Sequence, residues 1–412
     1  DVYKRQPLWL WFLEQYPSCF FRYFTVHGTS SIMKHLALIL VLFLTAPAIA
    51  QSQTESFESY YLQEERTLRI SLPEDYDAEK TYPLILVLDA EYLFDMVVAN
   101  ARFYHRADRM PSSIIVGIDH EEEYLRERDF SFDPDNGYLT PDSDAFYSFL
   151  EKEVLPYCDK NFSVAPFKMF IGYDSSAALG NFFLYGDRSP FTAFLSISPV
   201  LPTDMENLVP SRLLDLPQQI FYNLVLEKEP TSDRQRVLQM NQSTASIQRD
   251  GLQYYFDQYE SPDHTTVVAY GIGKSFDNVF KLFRPITPME YKKEILTSTE
   301  PVIQYLYHKY EMIEELLGFQ KPYELNDIMA IYSASHKKED FESLRDLAEI
   351  CKKQWPEQML GDYLQGEYFE YMGEVRKALR AFEKAYQKNE IDFLTKEAAY
   401  DKIAAIKDDF GY

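Results

Sequence analysis

The sequence predicts an α/β protein: a doubly wound, mostly parallel sheet, followed by an all-α, helical-repeat C-terminal domain. Three observations carry this. Short apolar runs recur between residues 83 and 224. Stretches with helical spacing separate them. From residue 291 onward the strand-like runs stop and helical spacing continues to the end. Runs of this kind suit strands buried on both faces, and their alternation with helices gives parallel crossovers.

Taken in order, residues 59–72 alternate charged and apolar groups (Arg66, Leu68, Ile70, Leu72) and read as an early strand. Residues 83–89 and 113–119 are continuous apolar runs, each ending in an acid, Asp89 and Asp119. Residues 168–172, 193–198 and 219–224 repeat the design, and 252–259 is the last strand. Helices are expected over 91–105, 144–157, 177–185 and 232–249. In such a sheet the site lies at the carboxyl ends of the strands. Asp89, Asp119, the turn after Gly172, and Pro199 are therefore expected at one edge. Residues 283–288, with Pro285 and Pro288, read as a linker. In the tail, Gly366, Ala378, Phe382 and Ala385 fall at the small and aromatic positions of a helical-hairpin repeat of about 34 residues, tetratricopeptide-like in pattern.

The chain has 412 residues, 41 Lys+Arg against 65 Asp+Glu, and a net charge of −24. That acidity argues against nucleic acid or an anionic membrane surface, because phosphate binding needs clustered cations. With 46% of residues hydrophobic, an acidic disordered tail is excluded as well. Cys19, Cys158 and Cys351 have no close spacing, so neither a disulfide framework nor a zinc knuckle is expected. No phosphate loop, dinucleotide fingerprint or metal-ligand spacing is present, and no cofactor or metal is expected.

Met33-Lys34-His35 precedes an apolar run over 36–45 and then Ala46-Pro47-Ala48-Ile49-Ala50. A basic start, a short apolar run and small residues before a cut make a secretory signal over 33–50. Residues 1–32 read as upstream, non-native translation. The expected organisation is then an α/β domain over 51–284 and a helical tail over 285–412. The mature protein is expected to be exported, periplasmic or secreted, with no membrane span after cleavage.

The chemistry is expected at Phe170-Ile171-Gly172-Tyr173-Asp174-Ser175-Ser176-Ala177-Ala178, where an apolar strand enters, small residues turn sharply and a helix leaves. This is the context of a nucleophile elbow. Together with Tyr82-Pro83-Leu84-Ile85-Leu86-Val87-Leu88-Asp89-Ala90-Glu91-Tyr92, Phe149-Leu150-Glu151-Lys152-Glu153-Val154-Leu155-Pro156-Tyr157 and Ser196-Ile197-Ser198-Pro199, it gives residues 60–282 a resemblance to a known family. They resemble the putative esterase family of α/β-hydrolases, which includes feruloyl-esterase-like and siderophore-esterase-like enzymes. The helical tail resembles the repeat-bearing extension of some secreted members.

The resemblance breaks at the centre. The family's elbow reads Gly-His-Ser-Leu-Gly, and this chain has Gly172, Tyr173, Asp174, Ser175 and Ser176. Asp174 stands where the nucleophile serine belongs, and Ala90 replaces the Gly of the family's early turn. The fold orders its triad as nucleophile, acid, then His. Only His264, His308 and His336 follow Asp174; the last two lie in the tail, so His264 is the expected base. Glu227 and Glu229 are the candidate acids, with Glu229 slightly favoured by the family pattern. Ser175 and Ala90 are the implied oxyanion-hole positions.

Three readings of Asp174 follow. A pseudoesterase results if the lost serine abolishes acyl transfer. An active hydrolase results if Asp174 itself forms an alkyl-enzyme ester, with His264 activating water. A shifted turn would instead make Ser175 or Ser176 the nucleophile. An active enzyme of this family would take a small-molecule, glycan or siderophore ester. A non-catalytic binding module is the remaining reading, with a protein partner at the tail. Arg126-Glu127-Arg128-Asp129-Phe130 resembles the family's substrate-side loop but reads as a charged surface loop.

Overall fold

The computed structural model describes residues 52–411 apart from 121, 230 and 231. The expected leader and signal segment lie outside the described residues. Eight strands form one sheet: β1 (Ser52–Ser59), β2 (Glu64–Ser71), β3 (Tyr82–Val87), β4 (Ile114–Ile118), β5 (Val164–Tyr173), β6 (Ala193–Ile197), β7 (Ile220–Glu227) and β8 (Leu252–Tyr259). Their order is β1-β2-β4-β3-β5-β6-β7-β8. Strands β3 to β8 run parallel, and β1 and β2 are antiparallel to their neighbours. The single early strand expected over 59–72 is thus the second arm of a hairpin. Its first arm, Ser52–Ser59, is polar and largely exposed, so its residues carry little strand signal.

Strands β3, β4, β6 and β7, and the second half of β5, are buried on both faces, which is why they read as continuous apolar runs. Helix α1 (Ala90–Arg106) follows β3, and α2 (Glu123–Asp129) follows β4. The segment before β5 is α3 (Pro141–Phe149), a π turn over Leu150–Val154, and α4 (Leu155–Asn161). Thr140 caps α3 through its hydroxyl, with Pro141 at the first turn. Short α5 (Ser175–Asn181) follows β5, α6 (Met205–Asp215) follows β6, α7 (Arg234–Ala245) lies between β7 and β8, and α8 (Val267–Val279) follows β8.

Six longer helices complete the described chain: α9 (Val302–Leu317), α10 (Leu325–Lys338), α11 (Phe341–Gln354), α12 (Leu360–Tyr371), α13 (Val375–Tyr386) and α14 (Lys396–Phe410). This is an α/β-hydrolase sheet followed by an all-helical region. The tail is not a loosely tethered appendage. Ile313 and Leu317 of α9 join the core formed by α1, α8 and the sheet. Buried Lys309 donates to Asp327 and to the Arg284 carbonyl, and Ile286 N–H donates to Asp327, so the expected linker is pinned on both sides. Within the tail, Ala378, Phe382 and Ala385 are fully buried. A methyl group on Gly366 would lie 2.6 Å from the Phe382 ring, so α12 and α13 approach as closely as glycine permits.

Candidate active site

Asp174 sits between β5 and α5 with φ 58° and ψ −122°. That region is nearly reserved for glycine, so the surrounding structure must hold the residue there at a cost of about 1–3 kcal/mol. Three backbone bonds hold it: Asp174 N–H to the Ile197 carbonyl, and Val200 and Ala178 N–H to the Asp174 carbonyl. Gly172 makes room for the turn, because a Cβ there would lie 2.7 Å from the Ala177 backbone nitrogen. The positive φ therefore falls on residue 174 and not on 175 or 176. Ser176 is fully buried, and its hydroxyl donates to Asp89 Oδ2 at 2.6 Å while accepting from Tyr173 N–H. Those bonds explain how the turn tolerates a serine where the family has its second glycine. Ser175 and Ala90 are the first residues of α5 and α1, so their N–H groups have no intrahelical partner.

On the adjoining loop, His264 Nδ1 lies 3.0 Å from Glu227 Oε1. Glu227 ends β7, is fully buried, and also accepts from Ser198 Oγ. Burial pushes the Glu227 carboxyl up, but the bonds from His264 and Ser198 outweigh it and leave it below its usual value. The Glu227 bond raises His264 above its ordinary value, against the opposing effect of burial. Of the two candidate acids, Glu227 and not Glu229 is the one that meets His264. Two residues past the end of β7, Glu229 is exposed, whereas Glu227 is the last residue still in the sheet. Ser198 has positive φ (44°) at the end of β6, and nothing in its sequence context marked it as the second partner of that carboxylate.

Arg126 is the residue that sequence reasoning undervalued. From α2 its Nε donates to buried Asp89 Oδ1 at 2.6 Å, and its Nη2 approaches Asp174 Oδ2 at 3.4 Å. Burial raises the Asp174 carboxyl, Arg126 and His264 pull it down, and the net shift is upward. Arg126 is itself held in place. Asp129, on the same helix, is fully buried against Arg66 of β2. A cleft of about 550 Å³ opens over these groups, lined among others by Glu91, Tyr92, Glu123, Glu127, Tyr173 and Asp174.

An elbow at the end of β5, with a carboxylate at the end of β7 paired to a histidine after β8, defines an α/β-hydrolase domain. Residues 59–214 match the family described as "Putative esterase". The chain thus has an α/β-hydrolase fold, part of which matches that family, followed by an all-helical region. Among solved structures it is similar to an uncharacterised protein from Capnocytophaga ochracea DSM 7271, with TM-score 0.78 and 27% identity, over 87% of this chain and 100% of that one. An IroE-like serine hydrolase from Shewanella oneidensis shares the fold at TM-score 0.55 and 21% identity, over 73% of this chain and 99% of that one. No curated protein matches the sequence. No helix among the described residues is long and apolar enough to cross a membrane.

Proposed function

We propose that this is an exported esterase-type domain that keeps the ligand cleft and the base of the family but has lost serine-ester hydrolysis. The observation that carries this is Asp174 on the strained turn, facing Arg126. A carboxylate attacking an acyl group gives a mixed anhydride, and it puts negative charge where the oxyanion must develop. Loss of the nucleophile removes several orders of magnitude in rate. Export rests on the signal pattern over 33–50. The cleft would receive a small ester-like ligand, of the glycan or siderophore type, and the tetratricopeptide-like tail would offer a surface to a protein partner. Purified protein should hydrolyse short acyl and feruloyl p-nitrophenyl esters no faster than its His264→Ala variant. Turnover near that of an active esterase, abolished by His264→Ala, overturns the proposal.

The intact His264–Glu227 pair supports a second reading. In it, an Asp174 oxygen attacks an sp³ carbon and expels a leaving group, forming an alkyl ester. Water, deprotonated by His264, then adds to the ester carbonyl, and the alcohol departs as the carboxylate reforms. One Asp174 oxygen therefore comes from water. Turnover in heavy-oxygen water labels Asp174 on this reading, and an unlabelled carboxylate under turnover rejects it.

A further inference from the structure

Beside the elbow, Asp89, Glu91 and His120 each offer one ligand atom, all within 4.8 Å of one another. We propose that these three residues bind a divalent first-row transition-metal ion, such as Zn²⁺ or Mn²⁺, at the floor of the cleft. This goes beyond the functional reading above and does not rest on it.

The independent observation is the state of His120. It is only 4% exposed, yet neither ring nitrogen makes a full hydrogen bond. Leaving a buried polar nitrogen unpaired costs about 1–3 kcal/mol, so its neighbourhood lacks a partner that an ion would supply. The nearest acceptor to Nε2 is Asp129 Oδ2 at 3.3 Å. A histidine ligand commonly directs its second nitrogen at a carboxylate, which fixes the ring and raises its basicity. With Nε2 turned to Asp129, Nδ1 is the free nitrogen. Phe130 and Phe146 pack against the ring, with centroids 4.7 and 5.3 Å away, and hold its plane.

The two carboxylates are placed for the same ion. Glu91 Oε2 accepts the His120 backbone N–H at 3.2 Å, so the side chain already lies against the His120 segment. Asp89 receives Arg126 and Ser176, but a carboxylate has about four acceptor sites, and one remains on Oδ1. Ligands about 2.1 Å from one ion lie at most about 4.2 Å apart, so a rotation of half-buried Glu91 closes the set. The positive charge of Arg126 opposes an ion here, against the two ligand carboxylates of Asp89 and Glu91, while Asp129 is already offset by Arg66 and Arg128. One imidazole with two carboxylates suits a borderline ion better than Ca²⁺ or Mg²⁺, which prefer all-oxygen shells. The spacing of 89, 91 and 120 matches no sequence motif, because the β3 and β4 ends bring the ligands together only in the fold.

The test is calorimetric titration of the chelator-stripped full chain with Zn²⁺ and Mn²⁺, repeated with His120→Ala and Glu91→Gln. The expected result is one ion per chain, bound at least about 10-fold more weakly by each variant, since loss of an outer-shell partner alone costs about 10–100-fold. Circular dichroism establishes that the variants fold, and Glu91→Gln, at the cleft wall, serves if His120→Ala does not. Absence of binding in the micromolar range overturns the proposal, as does binding that Glu91→Gln leaves unchanged.

Discussion

His264 Nδ1 is bonded at 3.0 Å to Oε1 of Glu227, a carboxylate with no solvent exposure that ends the strand next to the sheet edge. The bond predicts coupled titrations. His264 is raised above 6.5, so the stability it contributes is complete below about that value and is lost as pH rises through its folded value. Glu227 is lowered from 4.5, so its contribution is present above that value and is lost as pH falls through its folded one. The pair therefore stabilises most between about pH 4.5 and 6.5. Glu227→Gln should return the His264 titration, followed by NMR, toward 6.5; an unmoved His264 contradicts the pairing.

Arg126 anchors the loop side of the cleft through Asp89. Arg126→Ala leaves the fully buried Asp89 without its cation, which should destabilise the fold by about 3 kcal/mol in urea titrations. A loss below about 0.5 kcal/mol would mean that the pair is no stronger than a surface one.

Gly172 is required by the turn. Its replacement by Ala pushes a Cβ into the Ala177 backbone, which cannot rotate away, so a loss of about 3 kcal/mol or more is expected. Denaturation midpoints check this, and an unchanged midpoint contradicts the tight elbow.

Gly366→Ala separates two effects of opposite sign. Alanine is favoured over glycine inside a helix by about 1 kcal/mol. The fully buried Phe382 ring, 2.6 Å from the new methyl, cannot swing aside, and overpacking costs about 1–3 kcal/mol. Net destabilisation is expected, and a stabilised variant would show that α12 and α13 have room to separate.

Much of the fold was legible because most of the parallel strands are buried on both faces and spell themselves out as apolar runs. Strand β1 was not, since its exposed, polar residues look like loop. Asp174 was legible because an elbow has a local sequence context. The acid was harder: Glu227 and Glu229 are two residues apart, and only the strand's end decides which one stays buried. Arg126 was hidden for another reason. Its partners Asp89 and Asp174 are 37 and 48 residues away, and a charge-rich segment reads as solvated until the fold closes over it.

The proposal that Asp174 silences an otherwise assembled site has one direct test. The direct measurement is kcat/KM for p-nitrophenyl acetate of the wild type, Asp174→Ser and Asp174→Ser/His264→Ala. The account predicts background turnover in the wild type, a gain of about 10³-fold or more on Asp174→Ser, and its loss in the double variant. Wild-type turnover that equals or exceeds that of Asp174→Ser would contradict it.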